Sequence, residues 1–369
     1  MKKQIYFLLA PALLAAAAIA ACTDTNSIPV IGAAGQQTET AAAAQTQTSA
    51  AETAPPTLTP IPPAAGHILF VSDREGAKNL YLTAPDGIEV IRLTANASED
   101  SAPRLSPDGT RAAFVSTVGN NMDVYILDLA SGVITRMTDA LEKDAAPSWS
   151  PDGQRIAFES FRDGNFEIYA ANADGSNPIR LTNDQAGDSH PVWSPMADEI
   201  VFVTGRFGNS DLMLVGLNGA LSTLTTSPAP DNAPSWSPSG AMIAFQTFSG
   251  ELSNVCVIGR DGLNQRCLTS APANYGVPVW SPDGNWIAAN YEETGIQLFN
   301  VTNGATLLLS APGIEPRGAP SWSPDGLRLV FQARFNGDME LFSALIPTGE
   351  FTQITAAPGY DGEPVWTAR

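Results

Sequence analysis

Pro147-Ser148-Trp149-Ser150-Pro151-Asp152-Gly153, followed by Arg155-Ile156-Ala157-Phe158, is one copy of a repeated unit. Pro-x-Trp-[Ser/Thr] recurs at Pro147, Pro191, Pro234, Pro278, Pro320 and Pro364, and Pro103-Arg104-Leu105-Ser106 is a seventh copy with Leu in place of Trp. The seven prolines are 44, 44, 43, 44, 42 and 44 residues apart. A period of this length means one supersecondary unit that buries its apolar faces against copies of itself.

Within the copy at Pro147, Asp152-Gly153 turns the chain and Arg155–Ser160 is a short β run. Arg162-Asp163-Gly164-Asn165 turns it again, and Phe166–Ala171 is a third run. Asp174-Gly175 then leads into a fourth, Pro178–Thr182. Four short strands joined by Gly, Asp and Asn turns make one propeller blade. The second strand recurs seven times, from His67–Ser72 to Leu329–Ala333, and so does the third. The run at His67 has no Pro-x-Trp strand before it, and Pro364-Val365-Trp366 has no second strand after it. The two deficits complement each other. The fold expected is therefore an all-β, seven-bladed propeller over residues 66–369, closed by the C-terminal strand entering the first blade.

The segments before it have other characters. Met1-Lys2-Lys3 and the apolar run Ile5–Ala21 describe a secretory signal over residues 1–21. Ile19-Ala20-Ala21-Cys22 is similar to a bacterial lipobox, which implies a lipid on Cys22. Residues 22–65 are Ala, Thr, Gln, Ser and Pro with few large apolar side chains. Such a stretch cannot offset its ordering entropy and is expected to be a disordered tether. The protein is thus expected outside the cytoplasm, lipid-anchored to the cell envelope.

The net charge of −19 argues against nucleic acid and anionic lipid as partners. Cys256 and Cys267 lie equally far from the Asp261-Gly262 turn, so they face each other across a hairpin. In an exported chain that placement predicts a disulfide; a two-thiol metal site is the alternative.

Trp-Ser-Pro-Asp-Gly, then Ile-Ala-Phe, Ile-Tyr and Leu-Thr, resembles the WD40-like repeat of TolB-type propellers. Related repeats occur in dipeptidyl-peptidase propellers and in some pectin-fragment lyases. Trp149–Gly153, Trp280–Gly284 and Trp322–Gly326 match fully. The resemblance implies a propeller that binds a partner in an envelope complex. TolB itself has six blades behind an α/β domain, and the peptidases carry a Ser-His-Asp hydrolase domain after the propeller. Neither arrangement is expected here.

The tryptophans are expected in the core between blades. The informative variation lies three residues before each proline. Asp100, Asp144, Asp188, Asp231 and Asp361 stand there in five copies, and Tyr275 and Arg317 in the other two. This position opens the strand nearest the axis. Two readings follow. The aspartates satisfy backbone groups or pair with Arg74, Arg162, Arg206 and Arg334 of nearby loops; or they form an acidic funnel mouth that receives a cationic segment. His190 lies close to that mouth. With two histidines in the chain, a three-His zinc site is impossible. No nucleotide-loop or nucleophile-elbow motif appears. No cofactor and no metal are expected. The function expected is a monomeric, non-catalytic binding or scaffold propeller that engages a protein, peptide or glycan through its loop face. The alternatives are a TolB-like envelope component, a spacer, and a lyase or hydrolase acting on extracellular polysaccharide through Asp188, His190 and Arg206.

Overall fold

The computed structural model describes residues 66–95, 98–271 and 273–367. The signal segment, Cys22 and the tether lie outside the described residues. Twenty-eight strands, from β1 (Ile68–Ser72) to β28 (Asp361–Trp366), form seven antiparallel sheets of four. There is no helix among the described residues.

Six blades follow the chain in order. Their inner strands are β4 (Glu99–Leu105), β8 (Asp144–Trp149), β12 (Asp188–Trp193), β16 (Asp231–Trp236), β20 (Val279–Trp280) and β24 (Glu315–Trp322). They belong to blades two to seven. Blade one is composite: β28 is its inner strand and β1 pairs with it, Ile68 opposite Trp366 and Ser72 opposite Asp361. The His67 amide donates to Thr367 Oγ1 at 3.0 Å, and the Thr367 amide donates back to the His67 carbonyl at 2.8 Å. Each inner strand touches the next around the ring, and β28 touches β4. The propeller is closed.

Second strands are the driest part of each blade. Phe70, Phe114, Phe158, Phe202, Phe245 and Phe331 are buried at equivalent positions. The tryptophans end the inner strands and are buried between blades. Their indole N–H groups extend the ladder sideways. Trp149 donates to the Arg104 carbonyl (2.9 Å), Trp236 to Val192 (3.0 Å), Trp280 to Ser235 (3.1 Å) and Trp322 to Val279 (3.2 Å), each on the preceding inner strand. Trp193 is built differently: its backbone amide donates to Ser148 Oγ at 2.9 Å, and its indole N–H has no partner.

Two local rules explain the rest of the repeat. In Ser-Pro-Asp-Gly, Ser150 Oγ donates to Asp152 at 2.5 Å, and the Gln154 amide adds a second bond at 2.9 Å. These bonds hold the Asp152 carboxyl below the usual carboxylate range. Gly153 takes the positive φ, 66°, that the turn requires. The fourth strand is shorter than the sequence suggests, Ile179–Arg180 in blade three. The reason is that Leu-Thr has another task. Thr182 Oγ1 accepts the Ile168 amide at 2.9 Å and donates to Glu167 at 2.6 Å, which caps the third strand instead of prolonging the fourth. Cys256 stands opposite Cys267 and is disulfide-bonded to it, tying the outermost strand of blade five to its neighbour.

Trp236→Phe removes the indole bond to the Val192 carbonyl; Trp193→Phe removes only packing. The first is expected to cost about 1 kcal/mol more than the second, from the net worth of a buried hydrogen bond. Urea denaturation of the two variants reads that difference.

Candidate functional site

The five aspartates are structural. Asp100, Asp144, Asp188, Asp231 and Asp361 are at most 1% exposed. The sequence-level expectation of an open acidic funnel mouth at these residues is therefore corrected. Each pairs in register with a hydroxyl residue on the second strand: Ser116, Ser160, Thr204, Thr247 and Ser72 respectively. In three blades an Arg two residues after that hydroxyl folds back. Arg162 Nη2 bonds both Asp144 oxygens at 3.0 and 3.2 Å, and its Nε donates to Ser160 at 2.7 Å. Arg74 does the same to Asp361 at 2.8 and 2.9 Å, and Arg206 reaches Asp188 at 2.5 Å. The guanidinium planes lie over aromatic rings, Arg162 over Tyr169 at 4.7 Å and Arg74 over Tyr81 at 5.1 Å. This is a latch between the inner strand and the body of the blade. Arg334 of blade seven, expected in a loop, lies instead within the second strand (Arg328–Phe335), opposite Glu315, and is exposed.

Blade five keeps the Asp without the Arg. Burial pushes the Asp231 carboxyl up, against hydrogen bonds from Thr247, Thr225 and Ser227. Burial also raises Asp188, where Thr204 and Arg206 oppose it. A second row of buried acids, Asp123, Glu167, Asp211 and Glu340, opens the third strands, and sequence reasoning missed it. The available signal was an Asp or Glu just before Val124-Tyr125, Ile168-Tyr169, Leu212-Met213 and Leu341-Phe342.

Blades six and seven break the pattern. Tyr275 makes an isolated bridge to Tyr291, with ring centroids 5.2 Å apart. The regular inner strand of blade six then shrinks to Val279–Trp280. In five other blades the residue before the proline has positive φ: Ala102, Ala146, His190, Ala233 and Glu363. There the strand bulges. Blade six lacks that left-handed residue, and Gly276 closes on Asn290 instead. Its amide donates to the Asn290 carbonyl at 2.9 Å, and a Cβ at Gly276 would lie 3.1 Å from Asn290 Cβ.

The result is a polar cleft of about 330 Å³ shared by blades five, six and seven. Gln246 Nε2 donates to the Tyr275 carbonyl at 2.5 Å. Asn290 Nδ2 donates to the Gly318 carbonyl. That bond fixes the amide orientation, so Asn290 Oδ1 is an acceptor, and it is buried without a partner. Arg317 bridges Glu293 and Glu315, the latter at 3.3 Å. The structure thus puts Arg317 in the wall of the cleft, together with Asn274 and Gly276 on either side of Tyr275, whose own ring packs against the core beside Tyr291 and Phe299.

His190 is exposed, its amide donates to Glu159 at 2.8 Å, and its Nδ1 lies 3.1 Å from Ser189 Oγ. Asp188 is committed to Arg206. Of the three residues considered for polysaccharide chemistry, Asp188 and Arg206 are paired with each other, and His190 stays exposed outside that pair. Among the described residues no group of three or more His, Cys, Asp or Glu side chains could hold a metal ion.

The TolB beta propeller domain family matches residues 95–282 and 249–368. "Protein TolB homolog" of Chlorobium luteolum is 40% identical over 67 residues, which are 18% of this chain and 15% of that protein. That of Chlorobaculum tepidum is 37% identical over 65 residues, again 18% and 15%. The aligned segment thus spans under a sixth of these relatives. Among solved structures, TolB from Acinetobacter baumannii superposes with a TM-score of 0.57 at 20% identity, covering 82% of this chain and 67% of that one. An oligogalacturonate lyase in complex with manganese superposes at 0.64 with 16% identity, covering 76% and 86%. Likeness at such identities shows the fold alone.

The two latch types respond differently to neutralisation. Asp144→Asn leaves Arg162 without its carboxylate and is expected to cost about 2 kcal/mol, discounted because Arg162 is partly solvated. Asp231→Asn is expected to stabilise. The Asp231 carboxyl is raised in the folded protein, so its ionisation opposes folding at neutral pH. That penalty fades as pH falls through the raised value, and the gain from Asn should vanish near pH 4. Melting curves from pH 7 to pH 4 test both signs.

Proposed function

The chain belongs to the TolB β-propeller domain family, and on that premise we propose that it is a non-catalytic binding propeller whose loop-face cleft at blades six and seven takes a segment of a protein partner. The observation that carries the proposal is Asn290 Oδ1, a buried acceptor without a partner on a residue that lines the cleft. An unpaired buried acceptor costs free energy that an incoming N–H donor offsets. The Gly276 and Gly318 backbone and the charged Arg317 add to a surface suited to an extended peptide. The same blades present carboxamides at one position of the second strand, Gln246, Asn290 and Gln332, where blades one, two and four have Val71, Val115 and Val203. Polar groups there serve the cleft and its rim: Gln332 Oε1 accepts the Glu363 amide at 2.6 Å.

The signal-like residues 1–21, Cys22 and the Ala/Thr/Pro-rich segment support a location outside the cytoplasm with a lipid anchor. We place the propeller in the cell envelope, on a tether.

Two experiments test this. Crosslinking and affinity capture from intact envelopes, with the full chain as bait, should recover a partner. Asn290→Ala and Arg317→Ala should each weaken capture at least about tenfold, the size of one lost buried contact, whereas Asp231→Asn should not. Unchanged capture by all three would move the site elsewhere. Cys22→Ser should abolish labelling by a fatty-acid analogue and release the protein from the membrane fraction. Retention there would refute the anchor.

A further inference from the structure

The other end of the channel departs from the repeat once, at Arg104-Leu105. Six inner strands end in Trp; β4 ends in Leu105. A leucine fills less space than an indole, and a cleft of about 310 Å³ lies here, across the inner strands of blades two, three and four. Its walls are Leu105, Trp149, Trp193 and the prolines of three successive Ser-Pro turns, Pro107, Pro151 and Pro195. These are flat, rigid, apolar surfaces. The Trp rings are held from behind: Arg111 lies over Trp149 at 4.8 Å and Arg155 over Trp193 at 5.3 Å.

The polar side chains in this cleft are Arg104 and Ser148, and the Ser148 hydroxyl already accepts the Trp193 amide. Arg104 occupies a place that the other inner strands fill with Ser148, Val192, Ser235, Val279, Ser321 and Val365. Its surface is exposed and one of its Nη atoms donates to the Pro103 carbonyl at 2.9 Å; burial lowers its pKa, and the Glu363 carboxylate, which acts on it electrostatically, opposes that without forming an ion pair among the described residues. Arg111 and Arg155 have partners, the Gly153 carbonyl at 2.6 Å and Asp198 at 2.8 Å. The indole N–H of Trp193, buried and without a partner, is a second unused donor. Two donors, one of them charged, set among flat apolar walls and with no acidic side chain in the lining, select an anion borne on an apolar group.

We infer that the Trp-side cleft of blades two to four is a second binding site, independent of the loop-face cleft, for a carboxylate carried beside a flat apolar group, with Arg104 as its counter-ion. The carboxylate meets the guanidinium, and its apolar neighbour lies against the Trp149, Trp193 and proline surfaces. A free aromatic acid and a peptide ending in an aromatic residue share this chemistry.

Indole N–H resonances of the ¹⁵N-labelled chain report on the cleft directly. 3-Phenylpropanoate represents the free acid, and acetyl-Pro-Phe with a free C-terminus the peptide. Each is paired with its carboxamide. The expected result is a saturable shift of the Trp149 and Trp193 indole signals with one or both acids and not with the amides. Arg104→Ser and Leu105→Trp install the residues that other blades carry at these places, so both are expected to fold, which thermal melts will check. Each should weaken binding at least about tenfold, Arg104→Ser by removing the counter-ion and Leu105→Trp by filling the cleft. Which acid binds identifies the source. No saturable shift with either acid, equal shifts with the amides, or binding unaltered in both variants would overturn the site.

Discussion

A four-stranded blade has two apolar faces and can cover neither by itself, so every blade depends on its neighbour and the last depends on the first. That dependence is met at one seam. β1 and β28 pair across blade one, and the reciprocal bonds between His67 and Thr367 lock its end. The inner-strand tryptophans carry the same constraint from blade to blade, with indole N–H groups reaching the neighbouring carbonyls. Packing and hydrogen bonding here act on the same atoms, which is why the Trp position varies little around the ring.

Much of this was legible in the sequence because repetition multiplies a weak signal. One Ser-Pro-Asp-Gly predicts a turn; seven anchor prolines at near-constant spacing predict a closed array. Seven blades, the composite first blade and the facing positions of Cys256 and Cys267 all follow from counting. The functional surface was less legible, and for a physical reason. Sequence shows that Asp144 recurs with Asp188 and Asp361, but not whether a carboxylate at the start of an inner strand points to the channel or back into its blade. The answer depends on Arg162, Arg206 and Arg74, eighteen residues later in two blades and at the far end of the chain in the third. Both outcomes were open, and the buried pairing is the one the fold adopts.

The reverse holds at Tyr275 and Arg317. In sequence they are two failures of a pattern. In three dimensions Arg317 lines a cleft that Asn274 and Gly276, the neighbours of Tyr275, also line. Leu105 is a third failure, at the opposite end of its strand. In a repeat protein the conserved positions build the scaffold, and the positions where one copy departs are where a specific surface can be placed without unmaking the ring. Asn290 and Gln246 illustrate how little is needed: each replaces a valine found in other copies and reaches a backbone carbonyl of the next blade.

The seam in blade one also sets an order of events in the life of the chain. The amide of His67 and the hydroxyl of Thr367 are 300 residues apart in sequence, and β1 has no inner partner until residues 361–366 have been made. Closing so long a loop is entropically costly and slow compared with forming any single blade. A ribosome-bound chain can therefore accumulate blades two to six but cannot complete blade one. The half-built array keeps an unpaired β1 at one end and an uncovered apolar face at the other. A protein with this seam cannot close its ring until residues 361–366 have been made.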